Sequence, residues 1–360
     1  MRISPAAAAS RLFRQVDALM NPMCRHLEEP RSEVDVPLVT VIVTVFTRVE
    51  FLPQALASVL NQTFSELEVI VMDDSGCAMA HDICEPFVRS NGVLYRANPG
   101  TLGVAASLRG AMCEAKGKYL AVLNDDDAWG PDFLENLVPI LESDSRRVLA
   151  FSDHWIMTED GRRDVAATDA VSLRYGRAAL PEGRIGNTAE FVLVHNGVPL
   201  AMAALFRKRA LDPLLLTSQV AGAYDFWISC ILAKSGGEFY YVPRRLTSYR
   251  IHTRMETGRR GPDKSDNHVY IFSQLLERDW FPDRRRYLRL KLSRALCRAS
   301  RDRLDFGRAA EARRFVLEAL RIAPGWRPVA VALLSFVPHA LRRRLELLLG
   351  FPATWGPALR

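Results

Sequence analysis

The sequence predicts an α/β fold, a doubly wound mixed sheet followed by a C-terminal helical extension, and three observations carry that prediction. Short β-branched runs alternate with amphipathic stretches from Val36 to Asn124. Two of the runs stop at acidic turns, Asp73-Asp74 and Asn124-Asp125-Asp126-Asp127. Beyond residue 265 the apolar residues recur at helical spacing, broken by Pro324, Pro328 and Pro338. Strand and helix in alternation is the pattern of a parallel sheet covered on both faces.

Each element follows from its own residues. Leu38 to Phe46 is β-branched and apolar, as a strand buried on both faces must be. In Glu50 to Gln62 the residues Phe51, Leu52, Ala55, Leu56, Val59 and Leu60 share one helix face. Leu67 to Met72 is a second buried strand. A helix over His81 to Ser90, a short strand at Val93 to Tyr95 and a helix over Val104 to Lys116 come next. Tyr119 to Leu123 is then a strand that ends at a turn marked by Gly130-Pro131.

The later chain is less regular. Val148 to Phe151 reads as a short strand and Thr158 to Gly186 as a polar, irregular segment. Phe191 to His195 and Leu200 to Phe206 are apolar runs around Asn196-Gly197. Tyr224 to Ala233 reads as a helix, and 239–243 and 246–250 as strands. Gly307 to Pro324 has the spacing of one helix of a tetratricopeptide unit, without a second copy at a fixed period. The expected division is an N-terminal helical extension (1–36), two halves of the sheet (37–150 and 151–256) and a C-terminal helical region (257–360).

Of 360 residues, 49% are hydrophobic and 25% charged, the composition of a globular protein. The net charge of +7 comes mostly from arginine, clustered late at 284–286, 313–314 and 342–344. No nucleic-acid module accompanies those clusters, so a nucleic-acid partner is not expected. Six cysteines show neither a CxxC pair nor a repeated spacing, which fits a reducing compartment. The N-terminus has no signal-peptide core, and Val329 to Val337 is far short of the ~20 residues of a membrane span. A cytoplasmic protein is expected, with peripheral contact to the inner face of a membrane as an option for the arginine-rich helices around Leu341, Leu345, Leu348 and Leu349.

The acidic turns carry the chemistry. Three carboxylates at one strand end repel one another unless a cation or a donor network faces them. Oxygen ligands of this kind suit a hard divalent ion that bridges to the phosphates of a nucleotide. The crevice at the carboxyl ends of the strands is where such a ligand would sit. The competing role is an acidic turn in which Asp127 or Asp132 caps the following helix.

From about Val39 to Arg254, about 60% of the chain, these segments resemble the inverting GT-A glycosyltransferases of family 2. Thr44-Val45-Phe46-Thr47-Arg48 resembles the family's first strand end, and Leu56 to Thr63 its helix ending Ser-x-Leu-x-Gln-Thr. Val71-Met72-Asp73-Asp74-Ser75 is similar to the second strand end, and Leu102 to Leu108 to the loop into the third helix. Asn124 to Asp127 with Pro131-Asp132-Phe133-Leu134 resembles the DxD region, and Tyr249-Arg250-Ile251-His252 the run that closes the catalytic domain.

The resemblance implies a role for each position. Thr44, Phe46, Arg48, Asp74 and Asp125 would bind the nucleotide-sugar: Phe46 against the base, Asp74 on a uracil N–H, Arg48 at the diphosphate, Asp125 on the ribose or base side. Asp126, Asp127 and His252 would hold a divalent metal, Mn2+ or Mg2+. Competing roles are strand-end core for Phe46, a helix cap for Asp74, a surface charge for Arg48 and a satisfied histidine for His252. Asp225 would be the catalytic base; the family's usual Glu-Asp pair is missing, Gly222 and Ala223 standing in its place, and the alternative is a helix cap. Asn124 replaces the first DxD carboxylate, and Arg109 stands where Asn is usual.

The implied function is metal-dependent transfer of a sugar, with inversion, from a nucleotide-sugar, by preference a UDP-sugar. The acceptor would be a saccharide or lipid-linked hydroxyl, in surface polysaccharide or glycolipid assembly. The alternative is a non-catalytic nucleotide-sugar-binding or scaffold relative. A dinucleotide oxidoreductase is disfavoured, since no G-x-G-x-x-G follows the first strand.

Overall fold

The first apolar run forms β1 (Val39–Val45), buried along its whole length. The computed structural model describes residues 36–254 and 262–351, so the expected N-terminal extension lies outside the described residues. On one side β1 pairs in parallel with β2 (Leu67–Asp73), and β2 with β3 (Leu94–Ala97). On the other side it pairs in parallel with β4 (Tyr119–Asn124). The connections are α1 (Leu52–Leu60), α2 (Ala78–Asn91) and α3 (Val104–Glu114). The chain thus leaves β1 for β2 and β3, then returns to its far side at β4, and the switch point lies between β1 and β4. Ligands bind in the crevice at such a point.

Register decides what that crevice contains. Val45 stands opposite Asp73 and Thr44 opposite Asn124, so both acidic turns open on one edge of the sheet. Packing holds the register: α1 buries Leu52, Ala55, Leu56 and Val59 in the core that also takes Val41, Val43, Val71 and Leu123. Each valine or leucine among them contributes about 1.5–3 kcal/mol by leaving water. The turn into β4 needs Gly117, because an added Cβ would lie 2.4 Å from the Thr40 nitrogen.

The rest of the sheet follows β4 in the order β9 (Ala204–Arg207), β6 (Arg147–Met157), β10 (Glu238–Arg250) and β5 (Ala128–Trp129). β9 is antiparallel to both neighbours, β10 runs parallel to β6, and β5 pairs with Thr247 and Ser248. Helices α4 (Phe133–Ser143) and, later, α6 (Tyr224–Lys234) flank this part.

Three expectations needed correction here. The short strand at 148–151 extends to Met157, because Ser152, Asp153 and His154, which look like a break, are buried within it. The runs at 239–243 and 246–250 are one strand, with register shifts between Val242 and Thr247 that absorb Pro243. The segment Thr158 to Gly186 is not irregular. It holds β7 (Arg163–Asp164), α5 (Val165–Arg174) and β8 (Gly183–Arg184). The Asp164 carboxylate caps α5 by accepting the Ala167 N–H at 2.9 Å. Only Thr168, Val171 and Ser172 of α5 are buried, so its apolar signal is faint.

The chain divides into two compact units, Met1–His252 and Thr253–Arg360. The second holds α7 (Pro262–Glu277), α8 (Arg285–Asp305), α9 (Ala309–Ile322), α10 (Trp326–Leu334) and α11 (His339–Leu348). Small residues let α8 and α9 approach: Ser293 and Ser300 donate to the carbonyls of Ala319 and Ala312. Arg301 pairs with Glu346, Arg303 with Asp266, and Arg342 with Asp305. Among the described residues no helix is long and apolar enough to cross a membrane. Cys77, Cys84, Cys230 and Cys297 are free thiols.

Candidate active site

At the end of β2 the carboxylates are held by neutral donors. Asp73 accepts the Ser75 N–H at 2.8 Å and the Tyr95 hydroxyl. Asp74, 5% exposed, accepts the backbone N–H groups of Leu102 and Gly103 at 2.7 and 2.8 Å and the Asn98 amide at 2.9 Å. Gly103 has φ +87, a conformation that glycine adopts without strain, and it starts α3. Asp74 therefore anchors the loop that leads into α3.

At the end of β4 the carboxylates face cations. The Arg48 guanidinium lies 2.9 Å from Asp125 Oδ1 with one nitrogen and 2.9 Å from Asp126 Oδ2 with another. His252 Nε2 lies 3.1 Å from the same Asp126 oxygen. Asp125 Oδ2 accepts the Phe46 N–H at 3.0 Å, while the Phe46 side chain stays exposed. Burial lifts the pKa of Asp125, with Arg48 opposing that rise. Burial also works against the charge on Arg48, but Asp125, Asp126 and Asp127 outweigh it and hold its pKa up.

Asp127 faces elsewhere. Its two oxygens accept the Arg250 N–H at 3.0 Å and the Asn124 amide at 3.3 Å. Burial, then the charge of Asp126, pushes its pKa well above the carboxylate range. The expected metal set is therefore split: Asp126 and His252 meet at one oxygen, whereas Asp127 braces the turn against β10. Thr44 lies beneath them, its hydroxyl donating to Asn124 Oδ1 at 3.1 Å.

Residues to which the sequence assigned no site role lock this arrangement. The Arg250 guanidinium donates to the carbonyls of Asp126 and Glu159 at 2.9 and 2.8 Å, bonds Gln54 and lies 4.5 Å over the Phe51 ring. Phe51 in turn sits 5.3 Å from the His252 ring, centroid to centroid. The Tyr224 hydroxyl donates to Asn124 Oδ1 at 2.9 Å, which ties the start of α6 to the acidic turn. Burial raises the Tyr224 pKa well above normal, and Asp225, Asp127 and Asp126 add to the rise. Asp225 occupies the first turn of α6, half-buried, with Oδ1 on the Phe226 N–H at 2.7 Å. The N-cap position itself belongs to Ala223. Phe51 and Gln54, one helical turn apart, were the available signal for a face turned to the site.

Among the described residues no three His, Cys, Asp or Glu side chains form a ready-made metal cluster. Asp126 and His252 supply one oxygen and one nitrogen. A hard cation that draws its other ligands from phosphate and water needs only one or two protein ligands, so the residues fit such an ion.

Residues 40–210 match the family model described as glycosyl transferase family 2. An uncharacterized glycosyltransferase of Methanocaldococcus jannaschii is 28% identical over 226 residues, 62% of this chain and 74% of that protein. The UDP-Glc:alpha-D-GlcNAc-diphosphoundecaprenol beta-1,3-glucosyltransferase WfaP of Escherichia coli is 26% identical over 119 residues, 33% of this chain and 47% of that protein. Among solved structures, S. aureus TarS 1-349 in complex with UDP-GlcNAc superposes with a TM-score of 0.55 at 14% identity, covering 87% of each chain. That likeness concerns the fold alone. The matched family stretch carries Thr44, Phe46, Arg48, Asp74 and the acidic turn, while Asp225 and His252 lie beyond it. With this fold around its acidic turns, residues 40–210 form a glycosyl transferase family 2 domain, the chain has a GT-A-like fold, and the protein is a glycosyltransferase.

Proposed function

We propose that this glycosyltransferase moves a hexose, with inversion, from a UDP-sugar to a hydroxyl of a saccharide or lipid-linked acceptor, using Mn2+ or Mg2+. One observation carries the reading: Asp126 Oδ2 is shared by Arg48 and His252 at 2.9 and 3.1 Å, at the switch point of the sheet. Asp126 and His252 would hold the cation, which supplies positive charge to the departing diphosphate. Arg48 would turn from Asp126 to the diphosphate, a cation exchanging one anion for another. The exposed Phe46 ring offers a face to the uracil. Asp74 Oδ2 accepts the Gly103 N–H and keeps a lone pair for the uracil N–H. Asp125 would meet the ribose.

Asp225 would take the acceptor proton as the hydroxyl attacks the anomeric carbon. Its support is Tyr224, whose hydroxyl fixes the start of α6 on Asn124. WfaP is named for a diphosphoundecaprenol acceptor, which supports a lipid-linked acceptor and a place in surface polysaccharide or glycolipid assembly, with peripheral membrane contact from the cytoplasmic side.

The test pairs a panel of nucleotide-sugars with one variant. UDP release from a UDP-sugar is expected; faster GDP release from a GDP-sugar overturns the donor class. Asp225→Asn should lower turnover by about 10²–10⁴-fold with the donor Kd unchanged. Normal turnover with reduced thermal stability would remove Asp225 as the base.

A further inference from the structure

The second unit carries the positive charge of the chain. Residues 262–351 hold 19 Lys and Arg against 10 Asp and Glu, a net of +9 against +7 for the whole protein. Arg301, Arg303 and Arg342 are buried and paired with acids. Other arginines flank apolar side chains that stand in water. Along α10 and just past it, Trp326, Val329, Leu333 and Phe336 recur at helical spacing and are 58%, 46%, 66% and 72% exposed. Val331 and Leu334, on the opposite face, are buried.

The neighbouring helices repeat the pattern. Leu317 of α9 is exposed between exposed Arg314 and Arg321, and on α11 exposed Arg344 stands between exposed Leu341 and Leu348. Contacts join these stripes. Arg313 of α9 lies 4.4 Å over the Phe336 ring, and the Trp326 ring is 6.0 Å from that of Phe351, which follows α11. Arg327 lies 5.2 Å over the Trp326 ring.

We propose that α9, α10 and α11 form a surface that docks this enzyme on an anionic lipid bilayer. Exposed aromatic and leucine side chains would enter the headgroup boundary, while the arginines beside them reach lipid phosphates with their stems along the apolar patch. Charge complementarity selects this occupant, because a net of +9 disfavours a second copy of the same surface. The inference extends the peripheral-contact reading above.

The test is flotation of the full chain with vesicles of phosphatidylcholine alone or mixed with phosphatidylglycerol. Binding to the mixed vesicles should be at least roughly tenfold stronger, and should fall with added salt. Leu333→Glu with Phe336→Glu should reduce it roughly tenfold or more. Arg314→Glu with Arg321→Glu, at exposed sites, serves as the second variant and should also weaken it. UDP binding should be unchanged in both, which separates failure of this surface from failure of the transfer reading. Equal flotation of wild type and both variants, or none at low salt, overturns the proposal. So does sedimentation showing a dimer that the apolar variant dissociates.

Discussion

The two acidic turns share a motif, a strand end and an edge of the sheet, yet they satisfy their charge in different ways. At β2, Asp74 is held by two backbone N–H groups and an amide of its own loop. At β4, Asp125 and Asp126 face Arg48 and His252. Backbone donors cannot leave without unfolding the loop, whereas a side-chain cation can be exchanged for another. The difference separates a fixed carboxylate, which anchors its loop and keeps a lone pair for a base, from an exchangeable one that can trade its partner for a ligand. It does so through the partners, since the carboxylates themselves look alike in sequence.

The largest expected effect tests the exchangeable turn. Asp126→Ala should abolish Mn2+-dependent UDP binding in calorimetric titration, while the fold survives because Asp125 keeps Arg48. Unchanged affinity would mean that the two turns do not differ in the way described. Asp74→Ala comes next and should act mainly on stability. Three donors lose a charged acceptor, two of them backbone groups, at a cost of about 3 kcal/mol in urea unfolding. The amides of Leu102 and Gly103 should also lose their protection from hydrogen exchange. A variant with full stability and full protection would mean that Asp74 does not anchor its loop.

The smallest effect contrasts two buried histidines. His252 meets a carboxylate, whereas the Nδ1 of His154 has no hydrogen-bond partner among the described residues. Burial, then Arg177 and Arg245, drives the His154 pKa down to about 3, with Asp153 opposing. A folded pKa below the unfolded value of 6.5 means that the unfolded chain binds the extra proton first. Stability should therefore fall as pH drops from about 6.5 towards 3, by at most about 1.4 kcal/mol per unit for this group. His154→Phe should flatten that slope in unfolding curves at pH 4.5 and 6.5; an unaltered slope would assign it to other groups.

The parallel half of the sheet was legible because strands buried on both faces must be continuous apolar runs, as in Val39 to Val45. β6 was half hidden because Ser152, Asp153 and His154 are polar yet buried. α5 was missed because three residues on one face are all it buries. Within the site, Phe46, Arg48, Asp126 and His252 could be nominated from short motifs. Asp127 could not be told from Asp126, because the difference lies in which way each carboxylate faces. The contributions of Phe51, Gln54 and Tyr224 come from contacts 100 or more residues away in sequence, which no local spacing encodes.

The order of residues along the chain also has a meaning in time. Asp126 meets His252 across 126 residues, whereas Arg48 precedes the acidic turn. A ribosome adding about 5–20 residues per second makes His252 roughly 6–25 s after Asp126. Through that interval Arg48 is already present as a counter-charge. The nascent sheet can thus close β1 onto β4 before the histidine that completes the site has been synthesised.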